Sequence, residues 1–137
     1  MAVSPMGPPR RTPEPTLFEA VGGEPFFVDL VDRFYGHVAA IPELIAIYPD
    51  REDLSGARDR LRLFLVQYWG GPATYSEERG HPRLRMRHAP FVVDVAQRDN
   101  WLAAMRAALD DMAPDPAIDT AMWDYFTAAA EAMRNHH

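Results

Sequence analysis

The sequence predicts an all-α protein. Three observations carry that prediction. Apolar residues recur at intervals of three and four in four separate stretches, the period that puts side chains on one helix face. No stretch alternates apolar and polar residues over a useful strand length. Glycine and proline pairs fall between the periodic stretches, where a helix must stop. With 137 residues, 47% of them hydrophobic, the chain suffices for one domain with its own apolar core.

The elements follow in order. Residues 1–15 hold Pro5, Pro8, Pro9, Pro13 and Pro15 with Arg10-Arg11, and no signal-like apolar core. This composition predicts a Pro-rich disordered extension, with the folded domain spanning 16–137. A short helix precedes the turn at Gly22-Gly23. Glu24-Pro25 then opens a long helix, proline being tolerated in the first turn. Phe27, Leu30, Val31, Phe34 and Val38 form its apolar face. Ile41-Pro42 breaks it and starts a short helix through Ile47.

After the polar link Tyr48–Asp53, the next apolar face is Leu54, Ala57, Leu61, Phe64, Leu65 and Tyr68. Trp69-Gly70-Gly71-Pro72 ends that helix, because glycine admits left-handed backbone and proline cannot continue the ladder. Residues 72–82 read as mostly loop. A short helix through Leu84 and His88 follows, stopped by Pro90. Asp94 and Gln97 resemble a capping box, ahead of a face made by Trp101, Met105, Ala108, Leu109 and Met112. Asp115 is placed to cap the last helix, with Pro116 in its first position. The face behind them is Ile118, Met122, Tyr125, Phe126, Ala129 and Met133. No internal repeat and no second domain is visible.

Composition narrows the function. A net charge of −6 makes a poor general binder of nucleic acid. No apolar run approaches the ~20 residues of a membrane span, so no integral membrane segment is expected. The chain has no cysteine. That removes disulfides, thiolate metal sites, cysteine nucleophiles and Cys-x-x-Cys-His haem attachment, and it fits a reducing, cytoplasmic setting. There is no Glu-x-x-His pair, His-Glu-x-x-His motif, Asp-rich loop or phosphate-binding glycine loop, which disfavours di-iron, zincin and EF-hand sites.

His88 ends the basic run Arg79-Gly-His-Pro-Arg-Leu-Arg-Met-Arg-His88, just before Ala89-Pro90. A neutral imidazole there offers one lone pair to a metal while a carbonyl fixes its other nitrogen. By itself a lone histidine equally fits a half-buried surface position. Leu84, four residues earlier, shares its face. Arg79, Arg83, Arg85 and Arg87 can fork carboxylates or phosphates, or form a solvated helix face. No aromatic residues are interleaved with them for base stacking. Tyr35, Tyr48 and Trp101 bring three aromatic donors from separate elements, and a buried O–H or N–H needs a partner. His37 is expected at the surface, and His81, before Pro82, as a cap or carboxylate contact.

From Thr16 to about residue 134 the chain resembles the group II truncated haemoglobins of the actinobacterial O type. The matching blocks include Phe18-Glu-Ala-Val-Gly-Gly23, Arg33-Phe-Tyr35, Tyr48-Pro49, Leu61–Leu65, Gln67-Tyr-Trp-Gly-Gly-Pro72, Thr74-Tyr-Ser-Glu77, Arg79–His88 and Trp101. The resemblance implies a truncated globin, a two-over-two helical sandwich around haem b (iron protoporphyrin IX), with His88 as the proximal iron ligand. It implies a distal pocket served by Tyr35, Tyr48 and Trp101, and walls from Phe34, Ala57, Leu61, Phe64, Leu65 and Leu84. Ala57 stands where many globins carry a distal histidine and leaves a wider side entrance. Tyr75, Arg83 and Arg87 are the candidate propionate contacts. The implied ligands are O₂, CO and NO at a five-coordinate iron, with tight O₂ retention and NO or peroxide detoxification supported by an unidentified reductase. A peroxidase-like enzyme and a gas-sensing or interaction module are the alternatives. The family analogy also admits a homodimer.

Overall fold

The computed structural model describes residues 15–83 and 93–135. The expected Pro-rich extension, but for Pro15, and the helix expected through Leu84 and His88 lie outside the described residues. Among the described residues there are seven α-helices and no strand. They are α1 (Leu17–Ala20), α2 (Glu24–Ala39), α3 (Pro42–Ile45), α4 (Ser55–Tyr68), α5 (Thr74–Arg79), α6 (Val95–Met112) and α7 (Pro116–Met133).

α2 is the central element. Its predicted face is sealed: Phe27, Leu30, Phe34 and Val38 are fully buried. It packs on α4 on one side and on α6 on the other, while α7 packs on α6. This gives one layer of α2 and α4 over a second of α6 and α7. The core between them adds Leu65, Val66, Met105, Ala108, Leu109, Met122 and Phe126. At about 25 cal/mol per Å² of apolar area removed from water, burial on this scale outweighs helix propensity in fixing the arrangement.

Local chemistry sets the boundaries. Thr16 Oγ1 accepts from Glu19 N at 3.2 Å, and Glu19 Oε1 accepts from Thr16 N at 2.9 Å. This capping box starts α1. Gly22 and Gly23, at φ 90° and 88°, make the turn into α2. Phe18 N then donates to Trp69 O at 2.9 Å, which lays α1 across the end of α4. That crossing needs the glycine pair. A Cβ on Gly70 would sit 2.6 Å from Thr16 Cβ, and one on Gly71 2.6 Å from Val66 Cγ1.

Four expectations are corrected. Residues 74–79 form α5 rather than loop. The amide of Gln67 brackets Ser76, with Nε2 donating to Oγ at 2.7 Å and Oε1 accepting from the backbone N at 2.9 Å. That tertiary clamp is invisible to local pattern. The Asp94 cap forms, its Oδ1 accepting from Gln97 N at 2.8 Å. The Gln97 side chain does not close the box but donates to Glu43 O at 2.8 Å, tying α6 to the start of α3. Asp115 holds the cap position of α7 without a side-chain hydrogen bond, and Pro116 starts the helix alone. Tyr68, placed on the apolar face of α4, is half exposed.

Candidate functional site

Three separately positioned aromatic side chains converge around Phe34. Phe34 and Tyr35 project from the middle of α2, edge to face at 4.9 Å between ring centroids. Tyr48 follows α3, where Ile45 O accepts its backbone N–H, and its ring meets Tyr35 edge-on at 5.7 Å. Trp101 comes from α6 and lies 5.1 Å from Phe34 and 5.8 Å from Phe126 of α7. The structure therefore brings the three expected donors Tyr35, Tyr48 and Trp101 into one continuous ring cluster.

Their polar atoms are unequal. Tyr35 is 5% exposed, and burial first, then the neighbouring Tyr48, lift its phenol well above the ordinary range. Burial pushes Tyr48 up to about 12. The hydrogen bond between the two hydroxyls acts in opposite directions, raising Tyr35 and lowering Tyr48. Both hydroxyls thus sit in a water-poor site, and each keeps its proton through the neutral range. Trp101 is half-buried, and among the described residues its Nε1–H donates to no protein acceptor and is not sealed in the core.

α4 supplies the apolar wall. Ala57, Leu61 and Phe64 are half-buried and pack on the edge of the core, whereas Leu65 turns fully inward. Phe64 meets Tyr75 of α5 edge-on at 5.7 Å. Tyr75 is 4% exposed, and the Arg79 guanidinium lies 5.9 Å over its ring. Gln67 holds α5 in place and so positions Tyr75. Sequence reasoning missed it, since a pairing nine residues apart carries no periodic signal. It also read Phe126 as core alone, although its ring supports Trp101.

The remaining candidates separate. Arg83 is exposed, with φ 45° and its backbone N donating to His81 Nδ1 at 3.0 Å. His81 is thus a local cap rather than a carboxylate contact. His37 is partly exposed, as expected, but pairs with Asp111 of α6 at 2.7 Å. Leu84, Arg87 and His88 lie outside the described residues.

The described residues fit the distal half of a haem site. The set combines half-buried aliphatic and aromatic surface for a flat apolar group with two hydrogen-bond donors, Tyr48 O–H and Trp101 N–H. Such pockets are mostly apolar, with few placed polar groups.

Comparison with known proteins gives the family. The family model described as Bacterial-like globin matches residues 16–135. The group 2 truncated hemoglobin YjbI of Bacillus subtilis is 39% identical over 118 residues, covering 86% of this chain and 87% of that protein. The solved thermostable hemoglobin of the actinobacterium Thermobifida fusca is 56% identical. It superposes with a TM-score of 0.85 over 88% of this chain and 98% of its own. The truncated oxygen-avid haemoglobin of Bacillus subtilis is 38% identical, with a TM-score of 0.83 over 88% and 100% of the two chains.

Proposed function

The chain belongs to the bacterial-like globin family, among the two-over-two group II truncated haemoglobins whose cofactor is haem, and we propose from that premise that it retains O₂ tightly and serves NO or peroxide detoxification. The cofactor on this reading is haem b, with His88 as the iron ligand and the apolar face of Ala57, Leu61 and Phe64 against the porphyrin. Tyr75, Arg83 and Arg87 are the residues proposed for the propionates. When bound, haem would supply an iron able to take a diatomic ligand.

The observation that carries the reading is the convergence of two aromatic donors, Tyr48 and Trp101, through the rings of Tyr35 and Phe34. The Tyr35 ring packs edge-on against Tyr48 and holds it in place, so Tyr48 offers one donor. Trp101 presents a second from α6, held by Phe34 and Phe126. Pre-aimed donors of this kind stabilise partial negative charge without reorganisation. Two of them favour retention and redox use over bulk oxygen transport. CO, which accepts hydrogen bonds weakly, gains less from them. The reading requires a reductase as partner, a reducing cytoplasmic setting, and small ligands that reach the pocket beside Ala57.

The test is an absorption spectrum of the purified protein. A Soret band that is present in the wild type and lost in His88→Ala is the expected result. A wild-type protein without the band after reconstitution with haemin overturns the reading.

A further inference from the structure

We infer that Gln97 is a positioning residue for the Tyr48 hydroxyl: by taking the Glu43 carbonyl, it closes the turn after α3 in the register that aims Tyr48 into the pocket. The inference rests on the haem reading of that pocket and assigns the aim of one donor to a side chain on another helix.

The hydrogen bonds around α3 carry the argument. Leu44 N and Ile45 N donate to Ile41 O, both at 3.0 Å, and Ala46 N donates to Pro42 O at 3.2 Å. The ladder then tightens. Ile47 N donates to Leu44 O at 3.2 Å, and Tyr48 N to Ile45 O at 3.1 Å. The change of step passes over Glu43 O, and the Gln97 amide takes that carbonyl, its Nε2 donating at 2.8 Å. In a continued α-helix Glu43 O would accept from Ile47 N. Occupying it from the side therefore favours the tighter turn. That register decides where Tyr48 points. A turn of about three residues returns Tyr48 over Ile45, whereas a turn of about 3.6 leaves it about 60° away. In the tight register its ring meets Tyr35 edge-on at 5.7 Å.

Gln97 is itself held. Its backbone N donates to Asp94 Oδ1 at 2.8 Å, in the first turn of α6. Val93, just before that cap, exchanges two bonds with Asn135 beyond α7. Val93 N donates to Asn135 Oδ1 and Asn135 N to Val93 O, each at 2.8 Å. The start of α6 is thus tied to the end of α7, and the amide reaches across to α3 from a fixed base. Gln97 also lies four residues before Trp101, on the same side of α6. One side chain therefore links the helix that carries one donor to the turn that carries the other.

Two substitutions separate the donor from the bulk. Gln97→Met keeps a long side chain and removes the donor, while Gln97→Lys keeps a long side chain with a donor at its end. In the holoprotein Gln97→Met should raise the O₂ dissociation rate at least threefold and move the C–O stretch of the CO complex to higher frequency. Gln97→Lys should stay close to the wild type in both. The effect of Gln97→Met should vanish in a Tyr48→Phe background and persist in Trp101→Phe. Nuclear magnetic resonance of the CO complex reads the turn apart from ligand rates. The Ile47 and Tyr48 amide resonances should move in Gln97→Met, and those in the middle of α7 should stay. Wild-type rate and stretch in Gln97→Met overturn the inference, as does an undiminished effect in the Tyr48→Phe background. A lowered Tm with the Ile47 and Tyr48 resonances unmoved marks a merely structural tie and overturns it too. A wild type without a Soret band overturns the haem reading and the inference with it, whereas with the band present these outcomes overturn the inference alone.

Discussion

At Trp101 the indole N–H and the ring serve different ends. The ring is held between Phe34 and Phe126, so a phenylalanine there preserves much of the packing and removes the donor. One such donor contributes a few kcal/mol in a water-poor site. Trp101→Phe should therefore raise the O₂ dissociation rate at least tenfold, or about 1.4 kcal/mol, as read by stopped-flow displacement. An unchanged rate would show that the indole is not the clamp. The tyrosine pair adds a comparison. Tyr35 is buried and Tyr48 only half-buried, so Tyr48→Phe should have the larger effect on dissociation, and the reverse order would make Tyr35 the donor to the ligand. On the proposed reading Ala57, half-buried on α4, would control entry rather than retention. Ala57→Leu should slow CO association after flash photolysis, by about threefold or more, and leave dissociation nearly constant. Equal association rates in the two proteins would remove the proposed side entrance.

At the scale of elements, the joint between α1 and α4 shows why glycine sits at both Gly70 and Gly71. A methyl on Gly71 would meet Val66 Cγ1 at 2.6 Å and the Phe18 ring at 2.8 Å. Neither can withdraw far, since Val66 is in the core and Phe18 stacks on Phe27 at 5.9 Å. Overpacking of this kind costs roughly 1–3 kcal/mol. Gly71→Ala should lower Tm by several degrees in a thermal melt, with O₂ dissociation unaltered; a melt matching the wild type would mean that the crossing relaxes freely. The same joint marks how far local pattern reaches. The faces of α2, α6 and α7 were legible because each buries a full stripe, and Leu30, Met105 and Met122 are where the period puts them. α5 was not, because its order comes from Gln67 reaching across nine residues to Ser76. Tyr68 was read as a core position by its register on α4, but the helix ends beside it and its ring packs along Trp69 and Tyr125 with one face in water. Tyr35, Tyr48 and Trp101 were visible as unusual donors, whereas the edge-on contact of Tyr35 and Tyr48 joins elements that local pattern cannot bring together.

For the whole molecule, the buried phenols couple stability to pH. Tyr48 ionises only near 12, and Tyr35 is lifted well above its ordinary value, both chiefly because burial disfavours the phenolate. In the unfolded chain tyrosines ionise near about 10. Below that pH both states hold the proton and the contribution of burial to stability is fully present. Above it the unfolded chain releases protons that the fold retains, so stability falls as pH rises toward the folded value. Each such group gives a slope of up to about 1.4 kcal/mol per pH unit in that window. Tyr125 is also raised to about 12, but it is half-buried and solvent screens it, so it adds less. The double variant Tyr35→Phe/Tyr48→Phe removes the two steepest contributors. It should begin less stable at neutral pH, because the hydroxyl pair is gone, and lose stability more slowly than the wild type between about pH 10 and 12. Denaturant titrations of helical circular dichroism across that range check the slope directly. Parallel declines in the two proteins would mean that the phenols titrate together with the unfolded chain, and that the pair is wetter than its packing between α2 and the segment after α3 implies.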